Sequence, residues 1–400
     1  MSDLNLKDKS ICICITGGIA CYKAANLVSM LSKAGAKVSV AMTKNAMEFI
    51  APLTFEALSH NAVITDSFSR STPYEIEHIA FAKRADVMAV VPATANIIAK
   101  TANGIADDFV STTLLATTAP TIFAPAMNTA MYNNPIVRDN IEKLKSYGKI
   151  VLEAESGILA CGDSGSGRMA EPEEIFEQIC CALFYQNKDF SGKNVLVTAG
   201  PTIESIDDVR YLTNRSSGKM GYAIAKAAKN RGANVTLISG QTHIPVPKGI
   251  ETVFVKSAKD MYEEVVSRFH QADILIKAAA VADYTPKHKA SGKIKKGDDL
   301  SLELKRTDDI LASIGENKGG KIIVGFAAEA TDVIENATGK LHRKNLDIIA
   351  ANDISRDDIG FGSEQNALTL LFSDGRRQKV EKCSKEEAAN ALLSAILTIS

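Results

Sequence analysis

Three stretches of this 400-residue chain hold residues whose types and spacing suit chemistry rather than packing. Thr16-Gly17-Gly18-Ile19-Ala20 directly follows an apolar run. Its glycines let backbone N–H groups approach a phosphate at a helix start. Cys161 lies among glycines between Gly157 and Gly167, where no core can form, so its thiol reads as functional rather than as filler. Asn214-Arg215-Ser216-Ser217-Gly218-Lys219-Met220-Gly221 offers backbone donors at a helix start plus a lysine, again suited to a phosphate. It is not a P-loop, because the first glycine of that motif is missing and Met220 stands where Ser or Thr would bind a metal. Further on, the small side chains of Lys277-Ala278-Ala279-Ala280-Val281-Ala282-Asp283 permit close approach of a nucleotide. Asp283 there suits a ribose hydroxyl, a base amine or Mg2+.

These stretches need elements to hold them. Residues 11–16 (Ile-Cys-Ile-Cys-Ile-Thr) read as a buried strand stopped by Gly17-Gly18. Ala24, Leu27, Val28 and Leu31 then recur at helical spacing, Gly35 closes the helix, and Lys37–Met42 is the next strand. The same order returns from Asn194: strand, Ala199-Gly200-Pro201, helix after Gly218, Gly232, strand. An Ala-Asp step leads into a third apolar strand in both halves, at Ala85-Asp86 and Ala272-Asp273. The second copy carries about fifteen extra residues near 202–216. Repetition of the plan predicts an α/β protein of two Rossmann-like three-layer domains with mainly parallel sheets. The polar stretch Gln186–Gly192 marks the join, giving domains 1–189 and 190–400. Thr285–Asp299, rich in Lys and Gly, reads as a mobile loop inside the second domain.

Ligands of such sheets bind at the carboxyl ends of the strands. In the first half those tips are Thr16–Ala20, Thr43, Pro92-Ala93-Thr94-Ala95-Asn96 and Pro125-Ala126-Met127-Asn128. Small residues and hydroxyls at all four describe a flat, phosphate-bearing ligand. The glycine pair is not GxGxxG, and no acidic residue ends the second strand, which counts against NAD. In the second half Lys293-Ile294-Lys295-Lys296, Thr307-Asp308-Asp309-Ile310-Leu311, Gly325-Phe326-Ala327-Ala328-Glu329 and Lys340–Asn345 follow the nucleotide tip. A charge run is most often a solvated face. Basic clusters around one strand tip in a neutral chain point instead to a triphosphate.

Composition bounds the rest. Lys and Arg number 46 against 47 Asp and Glu, net −1, so no global field favours nucleic acid or an acidic membrane. Seven cysteines without a CxxC pair argue against zinc and for a reducing compartment. No apolar run suits a signal peptide or a bilayer span. The expectation is a cytoplasmic enzyme.

Three motifs of the first half resemble one family in order. Pro125–Tyr132 (Pro-Ala-Met-Asn-Thr-Ala-Met-Tyr) resembles the PxMNxxMW motif of the homo-oligomeric flavin-containing cysteine decarboxylases. Glu77-His78-Ile79 resembles their histidine segment, and Ala160–Met169 the substrate flap of phosphopantothenoylcysteine decarboxylases. The resemblance implies FMN held by Gly17, Gly18, Ile19, Ala20, Thr43, Ala93, Thr94, Ala95, Asn96, Ala126 and Met127. The implied reaction is oxidation of the substrate's thiol-bearing carbon, loss of CO2 from the thioaldehyde, and reduction of the enethiolate. It assigns His78 to the oxidative and decarboxylation steps, Asn128 to the substrate carboxylate, Met131 to the shape of that site and Cys161 to the proton needed in the reduction. Tyr132 stands where the motif has Trp. Gly104–Asp108 resembles a segment near the flavin and the trimer contact; Asp there also reads as a helix cap.

Thr198–Thr202 and Asn214–Gly221 resemble phosphopantothenate–cysteine ligases, and that likeness runs over 192–395. It implies attack of the 4′-phosphopantothenate carboxylate on CTP, giving an acyl-cytidylate that L-cysteine then opens with release of CMP. Asn214 would hold the intermediate, and Arg210 and Lys219 would help bind substrate. Lys293 would reach the reacting phosphates. Lys277, Ala278, Ala279, Asp283, Asp308, Asp309, Ile310, Leu311, Phe326, Lys340 and Lys344 would bind CTP, with Mg2+ on its phosphates and no direct metal ligand named. Ile203 and Asp208 depart from the family's usual Arg and Pro. Together the two resemblances imply a bifunctional coenzyme A biosynthesis protein, assembled as trimers of the first domain tied by dimers of the second. A flavin- or NAD-dependent oxidoreductase and a non-catalytic flavin-binding subunit are the alternatives.

Overall fold

The computed structural model describes residues 6–67, 76–158, 164–184, 188–295, 301–329, 332–353, 363 and 365–399. The chain divides into two compact units, Met1–Gln186 and Asn187–Ser400.

In the first unit, β1 (Ser10–Ile15), β2 (Lys37–Met42), β3 (Val87–Ala93), β4 (Thr121–Pro125) and β5 (Ile150–Val151) form one parallel sheet in the order β2-β1-β3-β4-β5. The order reverses between β1 and β3, so a crevice opens there at the strand tips. β6 (Glu155–Ile158) and β7 (Ser164–Arg168) form a separate antiparallel hairpin. The alternation of β1 decides its packing. Ile11, Ile13 and Ile15 face Leu27, Val28 and Leu31 of the helix Cys21–Lys33. Cys12 and Cys14 face the other way, into a core with Phe81, Phe109 and Phe123. Each fully buried aliphatic or aromatic side chain contributes about 1.5–3 kcal/mol. Burial pushes the Cys12 thiol up to about 12 and raises Cys14 as well, so both are packing residues at neutral pH.

The second unit extends the plan. β8 (Asn194–Ala199), β9 (Ile203–Ser205), β10 (Tyr211–Thr213), β11 (Asn234–Ser239), β12 (Glu251–Phe254), β13 (Ile274–Lys277), β14 (Tyr284–Pro286), β15 (Leu304–Arg306), β16 (Ile322–Glu329), β17 (Ile348–Asp353), β18 (Gln365–Phe372) and β19 (Arg377–Ser384) follow in order. The main sheet runs β12-β11-β8-β13-β16-β17-β18-β19. Its first six strands are parallel; β18 and β19 add an antiparallel edge. Val197, Ile276, Val324 and Leu370 pack on one face with the helices Lys219–Asn230 and Lys385–Leu397. Leu196, Leu275, Ile323 and Ile349 pack on the other with Ala258–Phe269 and Val333–Arg343. The inserted residues near 202–216 fold as the β9–β10 hairpin, and β14 pairs with β15. Among the described residues no helix is long and apolar enough to cross a membrane.

Candidate functional site

In the first unit a cavity of about 640 Å³ opens at the β1/β3 crevice. Gly17, Gly18, Ile19 and Ala20 line it from the β1 tip, Thr43 from β2, Thr94, Ala95 and Asn96 from β3, and Ala126, Met127, Asn128 and Met131 from β4. Ala93 does not: it ends β3 with its side chain in the core. The Thr16 hydroxyl donates to the Pro92 carbonyl at 2.7 Å and accepts from Thr94 N–H at 3.3 Å, tying the two central tips together. Gly17 is required by close approach, since a Cβ there would lie 2.5 Å from Asn45 Cβ. The Thr43 hydroxyl is buried with no hydrogen-bond partner among the described residues. Asn128 caps the short helix Thr129–Tyr132, accepting from Ala130 N–H at 2.8 Å.

The β6–β7 hairpin sits against the β4 tip. Gly167 (φ 130°) passes its carbonyl to Met127 N–H at 3.0 Å, and any Cβ there would enter the Met127 carbonyl. Arg168, Gly167 and Met169 line the cavity from this side. Glu171 joins Arg168 (2.5 Å) to Lys23 (2.9 Å), whose hydrogen bond holds the Glu171 carboxyl below the usual carboxylate range. Cys161 lies outside the described residues. His78 is the second residue of the helix Glu77–Arg84, half-buried, and is not among the residues lining this cavity. Tyr132 is buried, its hydroxyl accepting from Ala154 N–H, with Arg138 over its ring at 5.2 Å; it does not line the cavity. Asp108 both lines the cavity and caps Phe109–Ala116 in a capping box, and Lys100 bridges it and Asp107.

In the second unit the tips of β8 and β13 close on each other. Ala280 N–H donates to Gly200, Ala279 N–H to the Thr198 hydroxyl and Ala282 N–H to the Thr202 hydroxyl. Ala278 N–H donates to the Thr198 carbonyl at 3.2 Å. Asn214 reaches over from the end of β10 and donates its amide to the Ala280 carbonyl at 3.1 Å. Lys219 opens the helix Lys219–Asn230 behind Gly218, whose φ of 79° turns the chain. A cavity of about 330 Å³ beside β13 brings together Lys277, Asp283, Asp308, Asp309, Ile310 and Lys344. Burial, then the Lys344 charge, lowers the Lys277 ammonium to about 8. Lys344 pairs with Asp309 at 2.8 Å; although burial opposes it, that bond keeps the Asp309 carboxyl below its ordinary value. Lys340 lies one turn from Lys344, and its charge is also felt at Lys277. Leu311 is buried in the core and Phe326 packs at the edge of the other core, so neither lines this cavity. Arg210 donates to the Ile294 carbonyl at 2.8 Å, and Lys293 is exposed on the neighbouring residue.

Lys23, Asn45 and Lys100 line the first cavity, and Arg306 the second, without having been singled out by sequence. Lys23 left a signal. It falls on the apolar stripe of its helix, one residue before Ala24 and four before Leu27, where a lysine needs a partner. Arg306 left none, since it follows a charged stretch that reads as solvated.

A sheet of order 2-1-3-4-5 with its cavity at the switch point defines a nucleotide- or flavin-binding α/β protein. Residues 2–184 match the family model described as "Flavoprotein", and residues 190–399 match "DNA/pantothenate metabolism flavoprotein C-terminal domain". The chain is 48% identical over 99% of its length to the coenzyme A biosynthesis bifunctional protein CoaBC of Bacillus subtilis, covering 98% of that protein. It is 44% identical to the protein of the same name from Haemophilus influenzae, over 98% of each chain. The C-terminal domain of a CoaBC, solved by crystallography, is 43% identical over 53% of this chain and 98% of its own, with TM-score 0.47. The chain belongs to the family of coenzyme A biosynthesis bifunctional proteins. It is a bifunctional enzyme, a decarboxylase and a ligase, and its first unit is of the flavoprotein family.

Proposed function

We propose that residues 1–189 form an FMN-dependent phosphopantothenoylcysteine decarboxylase and residues 190–400 a CTP-dependent phosphopantothenate–cysteine ligase, the second feeding the first. The observation that carries this reading is the presence, in one chain, of two strand-tip cavities furnished for different ligands.

The first cavity suits FMN. Gly17 and Gly18 expose backbone donors for its phosphate, and the unpartnered Thr43 hydroxyl is a donor awaiting an acceptor. FMN, when bound, supplies the two-electron acceptor and donor. The chain supplies the rest. The Asn128 amide holds the substrate carboxylate, and Met131, 47% exposed at the cavity edge, shapes its seat. His78 serves the oxidative and decarboxylation steps, and Cys161 gives the proton at the reduction. His78 stands off the cavity of its own chain, which supports a homo-oligomer whose second copy completes the site, as trimers of the first domain tied by dimers of the second.

In the ligase, Lys277, Lys344 and Arg306 meet the triphosphate while Asp283 faces the ribose or base. Lys340, Asp308, Asp309, Ile310, Leu311, Phe326, Ala278 and Ala279 belong to the same nucleotide region. Asn214, held over the β8/β13 junction, stabilises charge on the 4′-phosphopantothenate carboxyl as the acyl-cytidylate forms. Arg210 and Lys219 belong to the same substrate side, and Lys293 reaches the reacting phosphates. L-Cysteine then takes the acyl group. Mg2+ travels with the CTP phosphates; among the described residues no group of three or more His, Cys, Asp or Glu is placed to hold a metal. The setting is the cytoplasm, where reduced thiols persist.

The purified protein is expected to be yellow and to release FMN. With 4′-phosphopantothenate, L-cysteine, CTP and Mg2+ it is expected to yield 4′-phosphopantetheine, CO2, CMP and pyrophosphate by mass spectrometry. A colourless protein, or CTP left intact, overturns the reading.

A further inference from the structure

The segment after β14 reads from its Lys and Gly content as a loose loop. The structure instead fastens it at both described ends. Toward its start, Tyr284–Pro286 pairs with Leu304–Arg306, and Lys287 N–H donates to the Glu303 carbonyl at 2.8 Å. Toward its far end the inserted 202–216 segment takes over. Ala290 N–H donates to the Ile206 carbonyl at 3.0 Å. The Asp208 carboxylate accepts from Gly292 N–H at 2.9 Å and pairs with Lys289 at 3.0 Å. The buried Asp207 carboxylate accepts from Ile294 N–H at 3.1 Å through one oxygen. Through the other it accepts from Val209 and Arg210 N–H of its own turn at 2.7 and 2.6 Å. Arg210 closes the ring by donating to the Ile294 carbonyl.

The residue left between these clips is Lys293. The N–H before it belongs to Asp208 and the N–H after it to Asp207, while its own side chain is exposed. Fixing the backbone on both sides limits where the ammonium can travel, so less freedom is lost when it engages a phosphate.

We propose that Asp207 and Asp208 form a two-carboxylate latch that positions Lys293 for nucleotide transfer, and that the inserted hairpin exists in part to carry this latch. The inference rests on the role given to Lys293 above. Neither aspartate touches the reacting atoms; both are positioning residues. The backbone donors of Arg210 and Val209 keep the Asp207 carboxyl below its ordinary range. Lys289 does the same first for Asp208, joined by the Gly292 N–H. Both therefore remain anionic at neutral pH.

The test is hydrogen–deuterium exchange of peptides covering 288–295 in the full chain, alongside ligation kinetics, for Asp207→Asn, Asp208→Asn and Lys293→Gln. Asp208→Asn is expected to speed exchange at Gly292 several-fold and to lower ligation kcat about three- to tenfold, with KM for CTP within about twofold. Asp207→Asn is expected to do more, since an amide cannot accept both sets of donors. If that buried substitution disturbs folding, the exposed Asp208 still decides the question. In the Lys293→Gln background, Asp208→Asn is expected to have no further effect on kcat. Unchanged exchange, or ligation that needs Lys293 yet ignores both aspartate variants, overturns the latch alone. Ligation indifferent to Lys293→Gln overturns the lysine's role and the latch with it.

Discussion

The first unit's cavity and the second's both lie at strand tips but differ in how far apolar and small residues share the wall with charged ones. The first is larger, about 640 against 330 Å³; glycines, alanines, threonines and the side chains of Ile19, Met127 and Met131 make much of its wall, with Lys23, Lys44, Lys100, Asp108 and Arg168 also lining it. The second is ringed by Lys277, Asp283, Arg306, Asp308, Asp309 and Lys344. A flat cofactor that stays is well served by small residues and backbone donors, which cost little to desolvate. A polyanionic substrate that must enter and leave is better served by charges that remain partly in water. The same α/β plan thus supports a resident group in one copy and a passing one in the other, and the difference lies in the tips rather than the sheets.

The largest expected effect separates the two sites outright. Asn214→Asp places a charge where an amide donor is needed, so ligation should fall about a hundred- to a thousand-fold. CTP binding and the decarboxylation of supplied 4′-phosphopantothenoylcysteine should persist. Loss of both activities together would show that the sites are not independent. Next comes Gly17→Ala. Its Cβ would lie 2.5 Å from Asn45 Cβ and 2.9 Å from the Asn45 carbonyl carbon. An overpacking cost of about 1–3 kcal/mol means roughly ten- to a hundred-fold weaker flavin retention, read from visible absorbance after dialysis. Ligation should not change.

A third test uses charge. The Lys277 ammonium is lowered to about 8. A bound triphosphate favours the protonated form, so its pKa rises in the complex. Nucleotide affinity is then full below pH 8 and declines as pH climbs above it, by up to about tenfold per unit. Calorimetric titration of CTP between pH 7 and about pH 9 should show this slope, and Lys277→Met should flatten it; a slope surviving that change assigns the titration elsewhere. The smallest effect is Asp309→Asn. It frees Lys344 from a half-exposed ion pair and should change CTP affinity only about two- to fivefold.

How much was legible follows from how local each signal is. β1, the helix after it and β2 announce themselves by periodicity, and so does their second copy, because burial writes apolar patterns into contiguous residues. The tips of the first cavity were legible for the same reason: small residues directly follow those runs. Ala93 and Leu311 turn their side chains into the core, so any part they take at a site falls to their backbone, which a string of site residues does not reveal. Tyr132, which stands where the motif has Trp, packs under Arg138 and binds the backbone near β6. Partnerships across long separations left no trace. Lys23 meets Glu171 from 148 residues away, and Asp207 meets Ile294 from 87. The Lys/Gly-rich segment accordingly read as loose, although its described residues are held as far as Ile294. The antiparallel pair β18 and β19 extends the second sheet beyond the doubled plan, and repetition alone could not announce it.

The most direct test of two successive sites in one chain is the amount of 4′-phosphopantothenoylcysteine that accumulates when variants are given 4′-phosphopantothenate, L-cysteine and CTP. Asn128→Asp, altered in the first cavity, is predicted to build up this compound in near-stoichiometric yield with CTP consumed. Asn214→Asp is predicted to make almost none. Equal amounts from both variants, or none from Asn128→Asp, would contradict the account.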